Sequence, residues 1–118
     1  MEDETLKITM LFDFFGDLLT EKQREYFDLH HNEDLSLSEI AERAGISRQG
    51  VFDIITRAEK SLAQIERKTG VVQRWLDARV RLYQAQTIAQ KLLLLSGAGG
   101  EAAELTKELV HTLECLNN

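Results

Sequence analysis

The sequence predicts an all-α protein in which a helix-turn-helix motif is followed by long C-terminal helices. The 118 residues include no proline, so helix interiors meet no obligatory break and the seven glycines become the main turn signals. Apolar residues recur at helical spacings, and the alternation typical of strands is rare. The stretch SLSEIAERAGISRQGVFDIITRAEKSL, residues 36–62, combines two helix starts with a glycine between them.

The first third of the chain predicts two helices. An apolar stripe at positions i, i+3, i+4 and i+7 indicates an amphipathic helix over roughly residues 5–19, formed by Leu11, Phe14, Phe15 and Leu18. Thr20 and Gln23 have the spacing of a capping box, so a second helix should begin there and end near His31. Its inner face is expected to carry Tyr26, Phe27 and His30.

Residues 36–62 predict the helix-turn-helix itself. Ser36 and Glu39 repeat the capping-box spacing and begin a short third helix, which Gly45 can end in the left-handed conformation. We expect Ile46 to fill the core and Ser47 to cap a fourth helix. The inner stripes of the two helices are Leu37, Ile40, Ala41 and Ala44, then Val51, Ile55, Ala58 and Leu62, helped by Ile54. An ordinary helical hairpin is the alternative interpretation.

The C-terminal part predicts two further helices. The fourth helix can run to about Thr69, where Gly70 marks a bend or cap, and SGAGG at 96–100 is expected to be a flexible loop. We therefore predict a helical domain over residues 1–70 and a C-terminal helical extension over 71–118. On the first of these helices, one apolar side is expected to carry Trp75, Leu76, Val80, Tyr83 and Ile88, and the apolar surface is widened by Leu82, Ala85, Ala89 and Leu92. On the last helix, one face is expected to carry Ala102, Leu105, Leu109, Leu113 and Leu116.

This C-terminal apolar surface exceeds what one last helix can cover, and it consists of Leu82, Ala85, Ala89, Leu92, Leu93 and Leu95. Exposed apolar surface of that extent usually marks an interface, so we expect a homodimer through the C-terminal half. The alternative is that the last helix folds back and covers the patch within one chain.

Charge is distributed unevenly along the chain, whose formal net charge is −6. Residues 1–46 carry 4 Lys or Arg against 12 Asp or Glu, residues 47–81 carry 8 against 4, and residues 82–118 carry 2 against 4. The positive segment begins at the second helix of the motif. Nucleic-acid binding needs local positive charge, so the overall acidity weakens that interpretation without excluding it.

The outward face of the fourth helix supplies the candidate binding residues. Arg48 and Gln49 are side-chain types that form bidentate contacts to guanine and adenine. The predicted nucleic-acid-binding residues are Ser47, Arg48, Gln49, Arg57 and Lys60. Phe52 favours an apolar contact and Asp53 repels phosphates, so a second hypothesis makes Phe52 and Ile54 a docking spot for a protein partner.

The motif residues carry a resemblance to known families. SLSEIAERAGISRQGVFDIITRAEKSL is similar to the helix-turn-helix in the fourth conserved region of sigma factors, which belongs with the winged-helix-like DNA-binding folds. The longer segment MLFDFFGDLLTEKQREYFDLHHNEDLSLSEIAERAGISRQGVFDII more closely resembles the YlxM family of small bacterial proteins. That resemblance covers Met10 to about Gly70, and Phe52 stands where the YlxM family tends to have an aromatic residue.

The YlxM resemblance implies a regulatory or accessory role in the signal recognition particle pathway, without enzymatic activity. The expected partner is DNA, signal recognition particle RNA or a protein of that particle. Sequence-specific transcriptional regulation is the alternative function.

Other functional classes have little support in the sequence. Neighbouring His30 and His31 point about 100° apart on a helix and cannot share a metal, so we expect no metal or cofactor. The loop GAGG lacks the Lys and Ser or Thr of a phosphate-binding loop. We expect a cytoplasmic protein without membrane insertion, in which the single cysteine, Cys115, is a small buried hydrophobe.

Overall fold

A computed structural model of the chain describes residues 2–97 and 99–117, and the regular structure of this part is entirely helical. The all-α prediction with a helix-turn-helix and long C-terminal helices is therefore confirmed. The helices are α1 (Glu2–Phe15), α2 (Glu21–His31), α3 (Leu37–Ala44), α4 (Arg48–Thr69), α5 (Val71–Leu95) and α6 (Glu101–Leu116), with a 3-10 turn (Gly16–Leu18) after α1. The chain divides into two compact units, Met1–Val72 and Gln73–Asn118, called here the first and second units.

The core of the first unit is built around α4, which packs against α1, α2 and α3. Its largest fully buried side chains include Phe27 from α2, Ile40 from α3, and Val51 and Leu62 from α4. Burying a side chain of this size stabilises a fold by about 1.5–3 kcal/mol. The predicted inner stripe of α4 is confirmed, since Val51, Ile55, Ala58 and Leu62 are at most 4% exposed.

Helix α1 differs from its predicted stripe. Leu11 and Phe15 are buried, but Phe14 and Leu18 are exposed at 39% and 69%. Phe12 lies on the inner side instead, with its ring 4.6 Å from the ring of Phe27. The helix ends at Phe15 and tightens into the 3-10 turn, which changes the angular step per residue and turns Leu18 outward.

The helix starts predicted from capping residues are confirmed. Thr20 with Gln23 and Ser36 with Glu39 both form complete capping boxes. Gly45 ends α3 in the left-handed conformation at φ 69°. The prediction that Ile46 fills the core was wrong: it remains 37% exposed, because the tight turn after Gly45 leaves its side chain at the surface.

Two adjacent histidines of α2 make structural contacts within the first unit. His31 Nε2 lies 2.9 Å from the Glu59 Oε1 atom of α4, and the His31 ring stacks on Phe27 with 4.2 Å between centroids. His30 is half-buried, with Nδ1 2.8 Å from the carbonyl oxygen of Leu35. The two rings thus make separate structural contacts, one to α4 and one to the loop before α3.

The junction between α4 and α5 is a single residue, Gly70, in the left-handed conformation at φ 63°. Glu66 Oε1 accepts a hydrogen bond of 2.9 Å from the backbone N–H of Val72, satisfying one donor at the start of α5. Gly70 therefore acts as the cap that the sequence predicted.

In the second unit, α6 folds back along α5. Asn117 Nδ2 donates a hydrogen bond of 3.2 Å to Gln86 Oε1, which joins the end of α6 to the middle of α5. Among the described residues of this unit, the fully buried hydrophobic side chains are Ala89 and Ala103. The fully buried positions of the hairpin are thus small, and larger inward residues such as Leu82, Leu93 and Leu113 are half-buried.

Most of the predicted apolar face of α6 is not covered within the chain. Helix α6 turns Ala103, Thr106, Val110 and Leu113 toward the interior, while Leu105, Leu109 and Leu116 remain 58%, 46% and 66% exposed. Cys115 is also exposed rather than buried, because it lies on the far side of α6 from Ala103. The residue Ala98 of the predicted loop lies outside the described residues.

None of the helices in the described ranges has both the length and the apolar character required to cross a bilayer.

Candidate nucleic-acid interface

The turn before α4 fixes the start of the candidate interface. Ser47 has an extended backbone, and its Oγ accepts a hydrogen bond of 3.0 Å from the backbone N–H of Gly50. A Cβ atom at Gly50 would lie 3.1 Å from Ser47 Oγ and 3.6 Å from Ile46 Cδ1. Glycine at this position therefore allows the cap and the turn to approach α4 closely.

The burial of one side of α4 defines what its other side presents. Because Val51, Ile55, Ala58 and Leu62 point into the core, helical geometry places Gln49, Asp53 and Lys60 along the middle of the opposite, exposed side. We call Gln49, Asp53, Thr56 and Lys60 the outward face of α4. Thr56 is half-buried, and the other three are exposed.

The flanks of the outward face carry two arginines. Arg48 and Arg57 are both exposed and nine residues apart, which puts them about half a turn from each other, on opposite sides of the outward face. A helix lying in the major groove has a phosphate backbone on each side, so cations on both flanks suit such a position. The backbone N–H groups at the start of α4 add partial positive charge beside Arg48.

All five predicted nucleic-acid-binding residues are therefore accessible. Ser47 mainly serves α4 as its cap, and Arg48, Gln49, Arg57 and Lys60 extend from the helix surface. Gln49 and Lys60 lie on the outward face and the two arginines on its flanks, so the cations do not form a single basic stripe.

A hydrogen bond within the outward face changes what it can recognise. Gln49 Nε2 donates to Asp53 Oδ1 at 3.0 Å, one helical turn along α4. The amide group that would contact an adenine is thus engaged, and a carboxylate lies where a base edge or phosphate would approach. The i, i+4 spacing of Gln49 and Asp53 is the sequence signal that could have predicted this pair.

The structure does not bring the two predicted partner-binding residues together. Phe52 is 48% exposed beside the outward face. Ile54 is partly buried and packs against the core cluster of Tyr26, Ile40 and Val51. Two residues apart on a helix means about 200° of rotation, so Ile54 cannot share a docking spot with Phe52.

The described residues contain no group of three or more His, Cys, Asp or Glu side chains arranged to hold a metal ion. The geometry of the first unit points instead to α4 as the principal candidate surface.

Comparison with known proteins agrees with this architecture. Residues 2–95, which span α1 to α5, match the model of the UPF0122 family, described as "Putative helix-turn-helix protein, YlxM / p13 like". The chain is similar to the UPF0122 protein of Bacillus cereus (strain AH187), with 37% identity over 117 residues, 99% of this chain and 100% of the relative. The UPF0122 protein of Desulforamulus reducens is 39% identical over 99 residues, 83% of this chain and 80% of the relative.

A UPF0122 protein of Thermoanaerobacter sp. (strain X514) is 53% identical over 74 residues, 63% of this chain. This match spans 63% of the relative's length, so it covers less than two thirds of that protein. The family match takes in both the helix-turn-helix and the whole of α5, the helix that follows it. The chain therefore belongs to the UPF0122 family of YlxM-like helix-turn-helix proteins.

Proposed function

We propose that α4 docks on nucleic acid, either DNA or signal recognition particle RNA, with weak affinity and little sequence preference. The observation that carries the proposal is the position of Arg48 and Arg57 on opposite flanks of an exposed helix face. The resemblance to the YlxM family supports the biological setting, an accessory or regulatory role in the signal recognition particle pathway.

Weak binding follows from the few phosphate contacts that this surface offers. Arg48, Arg57 and Lys60 supply three cations, while Asp53 puts a negative charge in the middle of them. Specific DNA-binding proteins typically reach nanomolar affinity through many phosphate and base contacts. We expect a dissociation constant in the range of about 10⁻⁶ to 10⁻⁴ M at physiological salt, typical of non-specific binding.

Low sequence preference follows from the Gln49–Asp53 hydrogen bond. This bond occupies one of the two N–H groups of Gln49 and holds the amide against the Asp53 carboxylate, so a base must either accept that fixed orientation or open the bond, and the carboxylate repels the nearby phosphates in both cases. Because the bond is exposed, it can open, but the free energy lost with the bond offsets part of the gain from a new base contact.

Fluorescence anisotropy with labelled duplexes tests the proposal. Two duplexes of equal composition and different sequence should bind with affinities within a few-fold of each other. The double variant Arg48→Ala/Arg57→Ala should lose most of the binding. The matched control, Lys7→Ala/Lys22→Ala, removes two exposed cations from α1 and α2 and should bind almost as well as the unmodified chain.

Sequence-specific transcriptional regulation is the alternative function, favoured by Arg48 and Gln49 in the first turn of α4. Nanomolar binding to one duplex that is lost with Arg48→Ala and unaffected by Phe52→Ala would establish this alternative and overturn weak, unselective binding.

A second candidate function is the docking of a protein of the targeting pathway, and the 48% exposure of Phe52 favours it. An exposed aromatic ring surrounded by charges is a common anchor in protein interfaces. In this case Phe52→Ala should abolish binding to the partner protein, while Arg48→Ala/Arg57→Ala should chiefly affect its salt dependence. Binding to purified signal recognition particle protein and to its RNA, measured separately, distinguishes protein docking from nucleic-acid binding.

A further inference from the structure

The second unit leaves many of its large aliphatic side chains exposed. Within the described part of this unit, the fully buried hydrophobic residues are two alanines, Ala89 at 1% and Ala103 at 2% exposure. The first unit, by comparison, buries phenylalanine, isoleucine, valine and leucine side chains. Leu82, Leu93 and Leu113 share the inner sides of the two helices but are only half-buried, so the hairpin lacks a fully buried core of large side chains.

The exposed aliphatic residues fall on one line of each helix. On α5 these are Ile88, Leu92 and Leu95, at 59%, 49% and 84% exposure. On α6 they are Leu105, Leu109 and Leu116, at 58%, 46% and 66%. Successive members are separated by three, four or seven residues, which is the spacing of one helix face.

Both lines lie on the same side of the hairpin. Successive residues of a helix are rotated by about 100° about its axis. On this basis the exposed line of α5 lies about 100° around the helix from the inward direction of Ala89. The exposed line of α6 lies about 100° around its helix, in the same sense, from the inward direction of Ala103. The Asn117–Gln86 bond shows that α6 runs back along α5. For antiparallel helices, equal rotations in the same sense bring both lines to one side.

We name this surface the leucine face: Ile88, Leu92, Leu95, Leu105, Leu109 and Leu116. The opposite side of the hairpin is mostly polar, with Thr87, Gln90, Glu104, Lys107 and His111. Leu94 at 85% exposure and Tyr83 at 68% are exposed hydrophobic residues on that side. The hairpin is therefore amphipathic as a whole.

We propose that the leucine face is covered by the leucine face of a second copy of this chain, so that two α5–α6 hairpins form a four-helix bundle. The six side chains expose on the order of 600 Å² of apolar surface, the largest patch expected of a soluble monomer. A standard interface buries about 800 Å² per partner, so this face supplies most of the area that such an interface needs. A self-pairing face also supplies the missing core, because four amphipathic helices in a bundle bury their apolar sides together.

Charge at the edges of the leucine face agrees with pairing between copies. Lys91 borders it on α5, Arg81 lies on the same line of α5 two turns before Ile88, and Glu101 and Glu108 border it on α6. If α5 of one copy lies over α6 of the other, basic and acidic edges meet at the rim. This pairing does not depend on what α4 binds, so it can succeed or fail separately from the proposed function.

Analytical ultracentrifugation of the full chain tests the proposal. At tens of micromolar, the chain should sediment at twice its 13.5 kDa mass. The double variant Leu92→Glu/Leu109→Glu, which puts charge into the middle of the leucine face, should sediment as a monomer. Leu94→Glu is the matched control, because it adds the same charge to an exposed leucine outside that face, and it should remain dimeric.

A second measurement covers the case in which the double variant loses structure in the second unit. The chain has one tryptophan, Trp75, in this unit, so its fluorescence follows the unfolding of the hairpin. For the unmodified chain, the unfolding midpoint should rise with protein concentration, as it does when association stabilises the folded state. A monomer at tens of micromolar, a concentration-independent midpoint, or a dimer that survives Leu92→Glu/Leu109→Glu would overturn the proposal.

Discussion

The two units of this protein distribute their large apolar side chains in opposite ways. The first unit places Phe27, Ile40 and Leu62 at zero exposure inside four packed helices. The second places alanines inside and leaves leucines such as Leu95 and Leu105 in solvent. The first unit can thus hold a charged face of α4 in a fixed position, whereas the second has an apolar side that remains to be covered.

The difference shows that amphipathic spacing identifies the apolar side of a helix and leaves open what covers it. In α4 the apolar side meets three other helices of the same unit. In α6 the apolar side is exposed to water in the single chain. Helix α5 covers the side of α6 that carries Ala103 and leaves the side with Leu105 and Leu109 exposed. The following predictions test this contrast, beginning with the largest effect.

Removing an aromatic ring from the first unit should cost the most stability. Phe27→Ala removes a fully buried ring that contacts Phe12 and His31, and should lower the free energy of unfolding by about 3–5 kcal/mol. Phe14→Ala removes the same side chain from a position with 39% exposure and should cost much less. Urea unfolding followed by circular dichroism compares them, and similar losses would contradict the assigned core.

Enlarging a side chain inside the hairpin should have an intermediate effect. Ala89 is 1% exposed, so Ala89→Leu should destabilise the second unit by about 1–3 kcal/mol through overpacking. Ala78→Leu makes the same change at an exposed position of α5 and should be nearly neutral. Thermal unfolding followed by Trp75 fluorescence measures both, and a neutral Ala89→Leu would mean that the interior of the hairpin is wrongly assigned.

Removing the cap of α4 should have a smaller effect, confined to the first unit. Ser47→Ala deletes the hydroxyl that accepts from the Gly50 N–H and should cost about 0.5–2 kcal/mol. Ser38→Ala, in the exposed first turn of α3, serves as the control. If the two variants unfold at the same urea concentration, Ser47 does not stabilise the start of α4.

The smallest effect concerns the charge on the outward face of α4. Asp53→Asn removes the negative charge but keeps an oxygen that can accept from Gln49, so nucleic-acid binding should tighten by a few-fold, about 1 kcal/mol or less. Asp13→Asn makes the same charge change on α1 and should leave affinity almost unchanged. Titrations by anisotropy would contradict the account if Asp53→Asn weakened binding.

The sequence predicted the locally determined features well. Capping pairs such as Ser36 with Glu39, and the left-handed glycine at position 45, depend on a few neighbouring residues, and the structure confirms them. Features that depend on tertiary packing were harder to predict. The 3-10 turn moved Leu18 outward, and the turn after Gly45 left Ile46 at the surface.

The candidate site was predictable in its residues more than in its arrangement. The five candidate residues followed from the side of α4 left free by the core, since Val51 and Ile55 define the buried side. Ile54 was assigned to the partner surface although its angular position turns it toward the core cluster. Predicting the Gln49–Asp53 hydrogen bond requires knowing that the two exposed side chains bond to each other, and helical periodicity alone does not establish this.

The salt dependence of nucleic-acid binding tests the central claim most directly. The logarithm of the binding constant for a duplex of arbitrary sequence should fall linearly with the logarithm of salt concentration, with a slope of about −3 for three phosphate contacts. Arg48→Ala/Arg57→Ala should reduce that slope by about two. Binding that is insensitive to salt, or a slope unchanged in this variant, would contradict the account that the charged flanks of α4 contact phosphates.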